Sequence, residues 1–216
     1  MNYNKDPLDD LQDIKQIMER SSRFISLSGW SGIAAGTCAL VGAFLGNVVL
    51  KNNYYYSVST SNQNDYTYFP FFLKQLLTDR LFHIALITFI TALVSAFFFT
   101  YIKSRKNNTP IWSTTSRRLL LNVCIPLVVG GIFLLKLLEN GTYGLIAPGC
   151  LIFYGLALIN GSKYTLGEIK YLGYGEIFLG IVNCWFIGLG LYFWAVGFGV
   201  LHIIYGTLML KKYETP

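Results

Sequence analysis

The sequence predicts an all-α, polytopic membrane protein with six transmembrane helices arranged as helical hairpins. Three observations predict it. Of the 216 residues, 53% are hydrophobic and only 13% charged, with a mean hydropathy of +0.47, which is outside the soluble range. The apolar residues gather into runs near the roughly 20 residues that about 30 Å of hydrocarbon demands, since only backbone hydrogen-bonded within itself survives there. Thirteen of the 17 Lys and Arg, moreover, fall on alternate connections between those runs.

The runs lie near 25–50, 81–102, 119–138, 143–160, 171–190 and 191–210. Residues 1–24 lead into them. Within this lead-in, Leu8, Leu11, Ile14 and Met18 stand at helical spacing opposite Asp9, Asp10, Asp13 and Lys15, the pattern of an amphipathic helix at the cytoplasmic interface. The first apolar run is too long for a signal-peptide core and reads as a retained anchor. Residues 25–210 form a single transmembrane domain, and 211–216 a cytoplasmic tail.

Cytoplasmic loops hold the excess of Lys and Arg. With the N-terminus inside, that set is Lys5, Lys15, Arg20, Arg23, Lys103, Arg105, Lys106, Arg117, Arg118, Lys163, Lys170, Lys211 and Lys212. Lys51, Lys74, Arg80 and Lys136 remain for the far side. An even number of spans then places both termini in the cytoplasm.

Span one contains LSGWSGIAAGTCALVGAFLG, residues 27–46. Gly29, Gly32, Gly36, Ala39, Ala43 and Gly46 follow steps of 3, 4, 3, 4 and 3, which strips the side chains from one flank of the helix. In lipid, close van der Waals packing drives helix association and small residues let backbones approach. Alternating steps of this kind fit left-handed crossing near +20° and a central position for span one. The Gly32/Gly36 pair also leaves a homo-oligomer open.

The outer loop, residues 51–80, carries Tyr54, Tyr55, Tyr56, Tyr66 and Tyr68 around a Ser/Thr/Asn/Gln centre. It reads as a β-hairpin whose tyrosines anchor at the headgroups or meet a partner, followed by an interfacial helix near Pro70. Span four is short and contains Pro148. Phe153-Tyr154-Gly155 and Ile204-Tyr205-Gly206 repeat at an offset of 51 residues, a weak echo that suits a design of hairpins.

Span five repeats the small-residue rhythm with polar members: Gly173, Glu176, Gly180, Asn183, Ile187 and Gly190 share one stripe. In span six Ala195, Gly199, His202, Gly206 and Met209 do the same. The packing residues are thus Gly29, Gly32, Gly36, Ala39, Ala43, Gly46, Gly180, Gly199 and Gly206. If spans five and six form a tight hairpin turning near residue 190, Glu176 lies level with Tyr205 and one turn from His202.

Ionisable groups inside a membrane are costly and invite a functional reading. Glu176, Asn183, His202 and Tyr205 therefore form the candidate substrate or proton site, against the plainer reading of hydrogen-bonded packing. No Walker loop, GxSxG elbow or HExxH occurs, so no catalytic residues are assigned. Cys38, Cys124, Cys150 and Cys184 all lie in apolar runs with no metal-ligand spacing, so no metal and no cofactor is expected. The net charge of +6 comes from scattered topology signals instead of a basic stripe, which argues against nucleic acid. Membrane lipids are the expected partners, and no protein partner is specified.

The stretch SSRFISLSGWSGIAAG followed by five further spans resembles a group of small, uncharacterised, multi-span bacterial inner-membrane proteins. That resemblance implies a bacterial cytoplasmic membrane and carries no activity. Two functions follow as expectations: small-molecule, ion or proton transport through a polar site between the last two spans, or a non-catalytic sensing or scaffolding role using the outer aromatic loop and the basic 103–118 loop.

Overall fold

The computed structural model describes residues 28–54, 77–107 and 112–213. The amphipathic lead-in and most of the outer loop lie outside them. Among the described residues the elements are α1 (Gly29–Tyr54), α2 (Arg80–Lys106), α3 (Thr114–Glu139), a 3-10 turn (Tyr143–Leu145), α4 (Ile146–Gly161), α5 (Ile169–Trp185) and α6 (Gly190–Tyr213), with no strand.

The helices start where the chain supplies caps and stop where it supplies turns. Asp79 accepts the Leu81 amide at the head of α2, and Ser113 accepts the Ser116 amide at the head of α3. Pro148 falls in the first turn of α4, where its missing N–H costs nothing. Helix α5 stops at Trp185, and Gly188, with φ of +103°, makes the turn that follows.

That early stop corrects the count of six spans. Among the described residues five helices are long and apolar enough to cross a membrane: α1, α2, α3, the stretch Tyr143–Gly161 that contains α4, and α6. With 17 residues, α5 spans only about 26 Å at 1.5 Å per residue, short of the hydrocarbon thickness. Ile187, expected on the buried stripe of span five, lies past its end and is 65% exposed.

The expected tight hairpin of spans five and six is also corrected. Helix α6 packs mainly along α1, which α2 covers from the other side. Helix α5 packs mainly along α4, which α3 covers. The molecule is therefore two three-helix layers, α2–α1–α6 and α3–α4–α5, meeting at a seam. Most of the surface of α2 and α3 faces outward, where only Thr88, Ser104 and Gly130 are buried.

Bare glycines set the close pairs. A Cβ on Gly29 would sit 2.5 Å from the Gly206 carbonyl oxygen, and one on Gly206 would sit 2.5 Å from the Gly29 oxygen. Further along, a Cβ on Gly36 would meet the Gly199 oxygen at 2.7 Å, so α1 and α6 run antiparallel. Gly32 tolerates a little more room, with its nearest atoms at 3.2 Å. Gly46 faces Leu191, while Ala39 and Ala43 are 4% and 6% exposed. In the other layer, a Cβ on Gly155 would sit 2.6 Å from the Gly173 oxygen, one on Gly173 2.8 Å from the Gly155 oxygen, and one on Gly180 2.9 Å from the Pro148 oxygen. Helices α4 and α5 are likewise antiparallel.

A polar seam between the two layers

The candidate site lies at the seam, and α6 shapes it. Residues Ala195–Leu201 of that helix are π-helical, a wide turn of the kind that marks functional sites. It turns the Gly197 carbonyl toward the ring of His202, whose Nδ1 lies 3.1 Å away. A carbonyl only accepts, so Nδ1 carries the hydrogen. The remaining nitrogen, Nε2, then accepts from the Tyr154 hydroxyl at 2.7 Å. The tautomer of His202 is set by these two neighbours.

Glu176 reaches the same place from α5. Its Oε1 stands 3.4 Å from His202 Nδ1, and its side chain has no exposed surface. Room for the carboxyl exists because residue 197 is glycine: a Cβ there would lie 2.5 Å from Glu176 Oε2 and 2.5 Å from Leu151 Cδ2. The carboxyl is therefore boxed between a ring nitrogen, a bare helix turn and a leucine.

Relative to the sequence-based placement, Glu176 has moved along α6, from level with Tyr205 to a position between Gly197 and His202. Two features cause the shift. The turn between α5 and α6 occupies 186–189 instead of centring on 190, and the π-helical segment adds a residue to one turn of α6. Tyr205 instead packs against Leu158, Ile169 and Leu172, with its hydroxyl buried. Asn183 is fully buried nearer the other end of the seam, beside Gly190.

The buried side-chain oxygens and nitrogens without a hydrogen-bond partner, among the described residues, are both carboxylate oxygens of Glu176, both amide atoms of Asn183 and the hydroxyl of Tyr205. All five atoms line this seam. Native interiors satisfy nearly every buried polar group, so a file of orphans is a signal and not a background.

The file has an exposed end. Glu168, just before α5, accepts from Lys212 Nζ at 2.5 Å and from the Tyr213 hydroxyl at 2.7 Å, which ties α5 to the last turn of α6. These hydrogen bonds, that of Lys212 first, hold the Glu168 carboxyl below the usual carboxylate range. From Glu168 to Asn183 the file covers about 22 Å of helix.

Tyr154 and Gly197 belong to this site and were not among the residues singled out for it. The echo of Phe153-Tyr154-Gly155 with Ile204-Tyr205-Gly206 held the only trace of Tyr154, since it set that residue in register with Tyr205. Nothing local marked Gly197, because its role is to be absent from a space that another helix fills.

No group of three or more His, Cys, Asp or Glu that could hold a metal occurs among the described residues. Comparison with protein-family models, with curated proteins and with solved structures finds no match for this chain.

Proposed function

We propose that the protein binds protons at Glu176 and passes them along the seam between its two layers. The observation that carries this reading is the convergence of Tyr154, Glu176 and His202 from α4, α5 and α6, with Oε1 of Glu176 3.4 Å from one ring nitrogen of His202 and the Tyr154 hydroxyl 2.7 Å from the other. Three titratable side chains in line across one imidazole are the arrangement a proton transfer needs.

The chemistry follows from the tautomer. Nε2 of His202 receives the Tyr154 proton while Nδ1 releases its own to the Glu176 carboxylate 3.4 Å away. Uptake of a proton by the phenolate restores Tyr154. One proton enters the ring at Nε2 and a different one leaves from Nδ1, so His202 stays neutral in its other tautomer while the negative charge passes from the Glu176 carboxylate to the Tyr154 phenolate; release of the proton from Glu176 and return of the ring to its first tautomer complete the cycle. Glu176 and Asn183 have no exposed surface, which disfavours an open pore or a small-molecule path and suits transfer between fixed groups.

The membrane setting is part of the proposal. Antiparallel packing of α1 and α6 brings Gly29 beside Gly206, which supports placing both ends of the chain on one face, and the Lys and Arg distribution supports that face being the cytoplasmic one. On this arrangement α5, shorter than the five spans, lies along α4 and carries the chain back to the far face within the protein. The resemblance in the first span supports a bacterial inner membrane as the setting.

Proton uptake into liposomes, driven by a potassium gradient with valinomycin and read by an enclosed pH dye, tests the reading. Wild-type protein acidifies or alkalinises the lumen with the sign of the potential, and Glu176→Gln abolishes the flux while leaving the protein folded. No flux above empty liposomes from the wild type overturns the proposal.

A further inference from the structure

We infer that the groove between α3 and α4 holds one anionic phospholipid, its headgroup at the Arg118 and Lys163 end. The inference is independent of the proton reading. The groove has a volume of about 460 Å³. Ile125, Pro126 and Val129 form its α3 wall, and Phe153 and Leu156 begin its α4 wall.

Each wall ends in a cation at the same end. On α4 the line runs Phe153, Leu156, Asn160, and Lys163, two residues past the end of the helix, also lines the groove. On α3 the stripe continues outward from Ile125 through Asn122 to Arg118, where the Asn122 side chain donates to the Arg118 carbonyl at 2.8 Å. Arg118 and Lys163 are exposed, and neither makes an ion pair among the described residues. Basic pockets of this kind between membrane helices take lipid headgroups.

The dimensions and polarity match as well. From Phe153 to Lys163 the trough runs about 15 Å, half of the roughly 30 Å hydrocarbon thickness, which is the depth of a single leaflet. Its one awkward polar atom is already satisfied. Pro126 has no N–H for the Asn122 carbonyl, and the Asn160 amide donates to that oxygen instead at 2.8 Å. At the far end the Phe153 ring lies over Gly130 and against Phe133, with centroids 5.7 Å apart, and closes the trough. An acyl chain laid in it and a phosphate between two unpaired cations use every feature, whereas a zwitterionic lipid brings a cation of its own to the same end.

Native mass spectrometry of the detergent-solubilised full chain, with equal phosphatidylglycerol and phosphatidylcholine of the same acyl chains added, tests this. One phosphatidylglycerol is expected to be retained per chain, favoured by about tenfold. In the Arg118→Gln, Lys163→Gln double variant the preference falls to roughly twofold or less. Leu156→Trp, at a half-exposed site, fills the trough and removes the bound lipid without disturbing the core. Equal retention of both lipids by the wild type overturns the inference, as does an unchanged preference in the double variant. A Lys51→Gln, Lys106→Gln double variant controls for net charge: it leaves the preference intact, and an equal loss there overturns the assignment.

Discussion

The Nδ1 atom of His202 stands 3.4 Å from Oε1 of Glu176, across the seam between two separately packed helix layers. Neither residue lies on the other's main packing partner: α6 packs on α1 and α5 on α4. The contact is therefore made by the way the two layers dock, and its neighbours offer the sharpest tests.

Tyr154→Phe removes the hydroxyl that donates to His202 Nε2 at 2.7 Å. One such hydrogen bond contributes about 0.5–1.5 kcal/mol, so the protein should lose that much stability in a denaturation series. Proton flux should fall by about tenfold or more, since a positioned proton donor is typically worth 10²–10⁴ in rate. A normal flux with the expected loss of stability would reduce Tyr154 to packing.

Gly197→Ala puts a methyl 2.5 Å from the Glu176 carboxylate and from Leu151. Overpacking of this kind costs about 1–3 kcal/mol and should displace the carboxyl from His202. Gly131→Ala, with nothing within 4 Å of its added Cβ, should instead be neutral or stabilise α3 by about 0.5–1 kcal/mol. Thermal unfolding of both variants in the same detergent compares them directly.

Asn160→Ala orphans the Asn122 carbonyl that Pro126 cannot serve, and should destabilise the protein by about 1–3 kcal/mol. In the Pro126→Ala background the helix supplies its own N–H, and the same Asn160→Ala change should cost markedly less. A double-mutant cycle reads the difference, and additive effects would show that the amide serves something else.

The Glu168 tie predicts a pH dependence. Hydrogen bonds from Lys212 and Tyr213 lower the folded-state value of this carboxyl below its unfolded one. Its stabilisation is thus fully present above the unfolded value and is lost as pH falls through the folded one. The group is largely solvated, so the effect is small. Melting temperatures of wild type and Glu168→Gln should differ at pH 7 and converge as pH drops below about 4. A gap that persists at low pH would place the effect outside the carboxylate.

Which stretches are apolar helices was legible in the chain, because span length and hydropathy are local properties that lipid imposes residue by residue. The stripes of Gly29, Gly36, Gly199 and Gly206, and of Gly173 and Gly180, were legible for the same reason: a period of about 3.5 is written into the spacing. Which stripe meets which was not. Spans adjacent in sequence, five and six, were the natural pair on spacing alone, yet α6 lies on α1 and α5 on α4. Complementarity of two bare flanks is a property of both surfaces at once, and one-dimensional spacing carries no information about the partner. The same holds for the site. The chain alone marked Glu176 and His202 as costly inside a membrane, but the π-helical turn at Ala195–Leu201, the empty space at Gly197 and the arrival of Tyr154 depend on how two finished layers settle against each other.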